Sequence, residues 1–404
     1  MPISPGPTQV RKGSPLLPIF LIVLVDILGL TIMIPLMPFY AEHLGASATG
    51  VGLLFSTYAL CQLVAGPVLG SWSDRIGRKP VLIVSQLGTL IGLLILAFAG
   101  RLWLVFLSRA IDGMTAGNLS IAQAYIADVT APENRARSFG LIGIAFGVGF
   151  FVGPGISGFL AQFGYSYPIL AAAFLSACSV LCTTFLLPRT EPHAGQDAGP
   201  AGRRLNILNW KAYTEYFARP DLGPLLWQFF FFAFSFSLAM SGFALFANAR
   251  FTWHNKPVGP KEVGYLFAYV GFLGIILQGG LIGRLVKWLG ERTLVWTGFA
   301  VTAVANVWLA WVFTIPQLLV NMTFGSYGSG VLRPAITALI THKAGKREQG
   351  VVLGLTQSLT SVAQIVAPVI AGSLIDGHHT AGWALSVAFV AFLGMIVSLR
   401  TRAL

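Results

Sequence analysis

Gly70-Ser-Trp-Ser-Asp74-Arg75-Ile-Gly77-Arg78-Lys79-Pro80 packs four charges into eleven residues, between two long apolar runs of a chain that is only 10% charged. Two apolar runs joined by a short, basic, glycine-punctuated turn predict a transmembrane helical hairpin. Its turn is expected on the cytoplasmic side, where Lys and Arg accumulate. Pro80 suits the first turn of the second helix, where a missing N–H costs nothing.

Outward from this turn the same pattern recurs. The chain has 404 residues, 55% of them hydrophobic, with a mean hydropathy of +0.75. A soluble protein of this size carries far more charge on its surface. Apolar runs of spanning length are predicted at 16–39, 48–70, 81–100, 102–125, 137–160, 165–187, 223–247, 262–283, 292–313, 316–340, 350–373 and 381–401. The fold class is therefore an all-α polytopic membrane protein of twelve spans. The short alternating segments of a β-barrel are missing. The first run is too long for a signal-peptide core and reads as a retained span. Cys61, Cys178 and Cys182 all fall in spans and read as small buried hydrophobes rather than a disulfide framework.

The break at 188–222 holds Pro188, Pro192, Gly195, Gly199, Pro200 and Gly202. It is expected to be a flexible cytoplasmic linker between a six-helix half, 1–187, and a second half, 223–404. The net charge of +12 does not point to nucleic acid, because its placement is one-sided. With the N-terminus inside, twenty of the 26 Lys and Arg fall in inner segments and four in outer loops. Arg109 and Arg333 lie within spans. That bias places both termini in the cytoplasm. The halves also repeat. Gly70-x3-Asp74-x2-Gly77-x-Lys79 returns 213 residues later as Gly283-x3-Lys287-x2-Gly290-x-Arg292. Pro154-x-Ile156-x-Gly158-x-Leu160 returns 214 later as Pro368-x-Ile370-x-Gly372-x-Leu374. Parallel repeats of this kind flank a central cavity in one transporter architecture.

Gly70 to Pro80 resembles the loop motif after helix 2 of the major facilitator superfamily. Arg109-Ala-Ile-Asp112-Gly113-x3-Gly117 resembles its helix 4 motif, and Gly149-x3-Gly153-Pro154-x3-Gly158 the helix 5 motif of antiporters. Asp26-Ile-Leu-Gly29 with Pro35, Pro38 and Tyr40 resembles helix 1 of drug exporters. Ala124 to Thr130, with Arg135-Ala136-Arg137, resembles the helix 4–5 junction of tetracycline-efflux-like members. The resemblance covers essentially the whole chain and implies two pseudo-symmetric six-helix halves. It also implies a twelve-helix drug:proton antiporter.

Asp26 lies near mid-membrane, where a carboxylate costs about 2.5–3.5 kcal/mol on insertion scales. It is a candidate proton carrier or counter-charge for a cation, or else a structural hydrogen-bonding group. Arg109 and Asp112 are three apart and share a helix face. They are either a self-neutralising pair or a proton switch, and the resemblance assigns Arg109 to proton coupling. Family members often carry a neutral polar residue where Asp112 stands, so either Asp26 or Asp112 is the carrier. Arg333 either meets an anionic substrate group or snorkels to the cytoplasm. Gly70, Asp74, Arg75, Gly77 and Arg78 read as a gate or as a merely topogenic loop. The resemblance implies that Asp74 meets the start of helix 11, near Gln349, and that Arg75 pairs with Asp128. Gly149, Gly153, Pro154 and Gly158 give helix 5 a small-residue face and a bend, either a hinge and proton seal or ordinary close packing. Gln62, Asn118, Gln123, Gln228, Gln278, Asn321 and Gln357 line a substrate cavity or bond helix to helix. Phe229 to Phe232 begin helix 7 and face a substrate or lipid.

All six His residues lie outside the predicted spans, which leaves no His relay. There is no phosphate-cradling loop, no metal-ligand spacing and no nucleophile–base pair, so neither an enzyme nor a cofactor is expected. The expectation is a monomer in lipid that exports a lipophilic, drug-like small molecule for protons across a bacterial inner membrane. The alternatives are uptake of an organic anion, or a proton-independent receptor or scramblase.

Overall fold

The computed structural model of the chain describes residues 16–130, 135–188, 210–345 and 348–400. Most of the expected linker, residues 189–209, lies outside the described residues. The first half consists of α1 (Leu16–His43), α2 (Ala48–Ile76), α3 (Arg78–Ala97), α4 (Leu102–Met114), α5 (Asn118–Val129), α6 (Arg135–Ala161) and α7 (Ser166–Leu186). The second consists of a short α8 (Trp210–Ala218), then α9 (Gly223–Arg250), α10 (Pro260–Ile276), α11 (Ile282–Leu309), α12 (Ile315–Lys343), α13 (Gln349–Asp376) and α14 (Thr380–Arg400). A two-residue ribbon, β1 (Thr252–Trp253) against β2 (Lys256–Pro257), closes the turn after α9.

Among the described residues nine helical stretches have the length and apolarity to cross a bilayer. Helix α12, 29 residues long but less apolar and outside those nine, and two departures from regular helix together bring the count to twelve passes. The expected fourth span is broken at Thr115–Gly117, so α4 and α5 are two pieces of one crossing. Gly88 of α3 presses on the Thr115 side chain there, and Ala116 and Gly117 bond to Gly113 and Thr115 instead of continuing the helix. Conversely, the stretch from Pro260 to Leu309 is two crossings. It passes through a π-helical turn, Leu277–Leu281, and folds back at Gly290.

The opening stretch is not a loop. Helix α2 runs to Ile76 and α3 starts at Arg78, so Gly77 alone makes the turn. Its backbone has φ 97° and ψ 158°, which a residue with a Cβ avoids. Gly290, 213 residues on, has φ 74° and ψ 157°. The repeat seen in the letters is thus a repeat in backbone geometry. Helices α7 and α14 are 21 residues each, and α1 and α9 are 28 each.

Among the described residues four hydrophobic clusters form the core, two in each half. At the end of the molecule bearing His43 and Asp376, here the far end, the clusters cross between halves. Phe39 of α1 belongs to the second half's cluster, and Leu245 of α9 to the first half's. At the near end, which bears Gly77 and Gly290, each cluster draws on its own half alone. Tight inter-half packing is confined accordingly. Gly52 of α2 lies on Pro368 of α13, Gly372 on Ala48, and Gly158 of α6 against Lys261 and Gly264 of α10. Toward the near end Val64 and Val68 of α2 are 65% and 62% exposed, and Leu353 and Gln357 of α13 are also exposed. The halves touch at one end and part at the other.

The linker is not free chain throughout. Phe217 of α8 packs edge-on against Trp227, with ring centroids 5.1 Å apart. Arg219 pairs with Asp221 at 3.2 Å and with Glu348, just before α13, at 2.9 Å.

Candidate functional site

Close helix contacts in the first half converge its polar side chains. Gly113 of α4 sits directly on the Tyr58 carbonyl of α2, and Gly92 of α3 lies against Asp112. These contacts hold Arg109 and Asp112 inside the half. Their ion pair is 3.2 Å long, with Arg109 7% and Asp112 9% exposed. Asp26 on α1 is half-buried and accepts a hydrogen bond from Ser179 Oγ of α7 at 2.8 Å. Ser179 in turn accepts one from Gln86 Nε2 of α3 at 2.7 Å. Asp26 and Asp112 are near enough to sense each other's charge, and Tyr58 senses both and Arg109. All three predicted proton-coupling residues therefore belong to one cluster.

The cluster is under-satisfied. Arg109 Nη2, Gln86 Oε1 and Ser85 Oγ are buried with no hydrogen-bond partner among the described residues. An unmet donor or acceptor in such surroundings is costly. Sequence reasoning missed Tyr58, Ser85, Gln86, Ser176 and Ser179. Each is an ordinary span residue whose role appears only when the helices are assembled.

At the near end Arg78 is buried. It bonds Asp74, Ser73 Oγ at 2.8 Å and Asp128 at 2.9 Å. Here the structure corrects the implied pairing, because Asp128 is held by Arg78 whereas Arg75 is exposed. Asp74 lies in the last turn of α2 and Arg78 begins α3, and the turn at Gly77 brings the two together. Arg75 points away. Asp74 is engaged with Arg78, and residues 346–347 just before α13 lie outside the described residues. The second half carries a contact at the matching positions, an ion pair only when its imidazole is protonated. Glu291 and His342, 213 and 214 residues beyond Arg78 and Asp128, lie 3.4 Å apart.

The small-residue face of α6 has two separate uses. Thr31 Oγ1 of α1 donates to the Gly149 carbonyl at 2.9 Å, and Gly153 accommodates that same side chain. These contacts bind α6 to α1 within the half. Pro154 and Gly158 instead meet Gly264 across the halves. At the far end the Asp376 carboxylate accepts the backbone N–H of Ala48 at 2.7 Å and of Thr49 at 2.8 Å. Sequence reading gave no sign of that bond.

The other expected cavity residues are scattered. Gln62 is half-buried beside Tyr58. Asn118 is half-buried and its Oδ1 lacks a partner among the described residues. Gln123, Gln278, Gln357 and Arg333 are exposed, whereas Gln228 is buried in α9. Arg333, mid-helix in α12, has neither ion pair nor hydrogen bond among the described residues. Asn321 donates to the Ala305 carbonyl at 2.7 Å and lines a cavity of about 110 Å³ inside the second half. Cys61, Cys178 and Cys182 are free thiols and only part-buried. No group of three or more metal-ligating side chains occurs among the described residues.

Comparison with known proteins agrees with this architecture. The Major Facilitator Superfamily matches residues 19–368 and 279–403. The tetracycline resistance protein, class C, of Escherichia coli is 30% identical, over 97% of this chain and 98% of its own. Multidrug resistance protein 2 of Bacillus subtilis is 28% identical, over 89% of each. The crystal structure of the human organic anion transporter MFSD10 superposes with a TM-score of 0.71 at 21% identity, covering 96% of this chain and all of the other. It shares the fold. The chain belongs to the Major Facilitator Superfamily and is an integral membrane transporter, not an enzyme.

Proposed function

We propose that the chain exports a lipophilic, drug-like small molecule in exchange for protons by alternating access. The observation that carries this reading is the Arg109–Asp112 ion pair beside Asp26, enclosed in the first half with one guanidinium nitrogen unmatched. A buried charge pair of this kind is expensive in a membrane and marks a proton path. Asp26, Arg109 and Asp112 carry a net formal charge of −1 when all are ionised, so one proton on Asp112 or Asp26 brings the site to zero. That disfavours a bound cation and favours rearrangement of the helices that hold it. Each charge moved down a potential of 100 mV supplies about 2.3 kcal/mol.

The placement of twenty of the 26 basic residues supports the near end, and both termini, being cytoplasmic. The parted end would then open inward. Bacterial relatives support an inner membrane. The halves divide at 1–187 and 223–404, joined by 188–222, and one chain suffices for the cycle. Tetracycline is the first probe, being the compound named in the relatives. The purified protein in liposomes should release it faster when a pH gradient is imposed, and tetracycline should in turn drive proton movement. Gradient-independent flux would end the antiport reading.

Arg333 favours a second reading, carriage of an organic anion, because it is a mid-span cation without a partner among the described residues. In that case Arg333→Gln removes transport of anionic but not neutral compounds.

A further inference from the structure

Helix α12 repeats α4 at an offset of 213, since Ile315 follows Thr314 as Leu102 follows Arg101. At that offset Arg109 corresponds to Met322, Asp112 to Gly325 and Gly92 of α3 to Ala305 of α11. All three counterparts line the cavity of about 110 Å³ in the second half. Where one half buries a charge pair, the other leaves space. We propose that this cavity binds a single uncharged aromatic ring that carries one hydrogen-bonding group. On the export reading, that ring belongs to the transported molecule.

Its walls suit such a ring. Phe232 and Phe236 stack at 5.9 Å, and Phe243 meets Phe267 edge-on at 5.2 Å. Aromatic neighbours at these spacings add to the burial of another ring. Apolar cavities of about 150 Å³ accept benzene, and this space of about 110 Å³, open on one side, is on the scale of one ring. A hydrogen-bonding group on the ring has a partner. Ser326 lines the cavity, is 5% exposed, and its buried Oγ has no hydrogen-bond partner among the described residues. Asn306 and Asn321 each donate one amide N–H, to Thr302 O and Ala305 O, and keep the other N–H and the carbonyl. Phe236, Met240 and Ser329 are only half-buried, which leaves one side for entry. No formal charge borders the space, which excludes an ionised group.

Gly325 offers the test. A Cβ there meets no heavy atom within 4 Å, so Gly325→Leu enters the space with no clash at its Cβ. The full chain in detergent, without any gradient, is photolabelled with 4-azidophenol in the presence and absence of excess phenol. Modified residues are then mapped by mass spectrometry. Phenol-protected labelling is expected at Met240, Met322 or Trp383, and at least tenfold less of it in Gly325→Leu. Ser326→Ala, a smaller change, should weaken protection by phenol about fivefold while leaving protection by benzene unchanged. Absence of protected labelling in the cavity, or its persistence in Gly325→Leu with normal thermal stability, overturns the proposal. Tetracycline export is measured separately. Labelling without gradient-driven export refutes the export reading and leaves the cavity standing. Export without labelling refutes the cavity alone.

Discussion

The carboxylate of Asp376, the last residue of α13, accepts the backbone N–H of Ala48 at 2.7 Å, the first residue of α2 in the other half. A carboxylate on a helix N-terminus satisfies donors that the helix cannot, and is favoured by the dipole. The bond exists only while the far end is closed. Losing such a cap costs about 1 kcal/mol. Asp376→Ala is therefore expected to raise the far-end-open population roughly fivefold. Spin labels at Gly45 and His378 report it, as a longer-distance population that grows. An unchanged distance distribution removes Asp376 from the gate.

Gly264 supplies an independent handle on the same closure. A Cβ there would come within 2.6 Å of the Pro154 carbonyl and 2.7 Å of Gly158 Cα. Overpacking of this kind costs about 1–3 kcal/mol, and only the far-end-closed state bears it. Gly264→Ala is expected to act in the same direction as Asp376→Ala. Gly274→Ala, in the same helix but meeting open space, serves as the control without effect.

At the near end the buried Arg78 and the exposed Arg75 should behave differently. Arg78→Gln leaves Asp74 and Asp128 without their shared cation, and charge-assisted bonds contribute about 1.5–3 kcal/mol each. Arg75→Gln should fall within about 0.5 kcal/mol of the wild type. Thermal unfolding in detergent, read beside transport, checks both. Equal losses would return Asp128 to Arg75.

The Arg219 link between the second half's entry and α13 gives a pH expectation. The hydrogen bond from Arg219 holds the Asp221 carboxyl below its ordinary 3.8. A depressed carboxylate contributes fully above its unfolded value and loses that contribution only as the pH falls through the lower, folded one. The Arg219–Asp221 pair is thus constant between roughly pH 5 and 8. Arg219→Gln is expected to leave the pH profile of transport unshifted in that range. A shifted profile would place proton sensing at this junction.

The fold was legible because its signals are one-dimensional. Span length, the bias of basic residues and the Gly77 and Gly290 repeat need no knowledge of neighbours. Asp26, Arg109 and Asp112 were legible for the same reason, since a charge in a span is conspicuous alone. Ser179, Gln86 and Tyr58 were not, because span serines and glutamines are common and only assembly brings these onto Asp26 and Asp112. Asp376 was hidden at a helix end, where acids are ordinary. The break at Thr115 depends on Gly88 of another helix, so no local pattern announces it. The Arg78–Asp128 pair needed the left-handed turn at Gly77 to be placed.

The central claim is that the Asp26, Arg109 and Asp112 cluster couples protons to export. It is tested most directly by measuring tetracycline-driven proton movement in liposomes for the wild type, Asp26→Asn and Asp112→Asn. The expected result is coupled proton flux in the wild type, and in at least one variant substrate exchange that continues while proton movement falls at least tenfold. Full proton movement in both variants would contradict it.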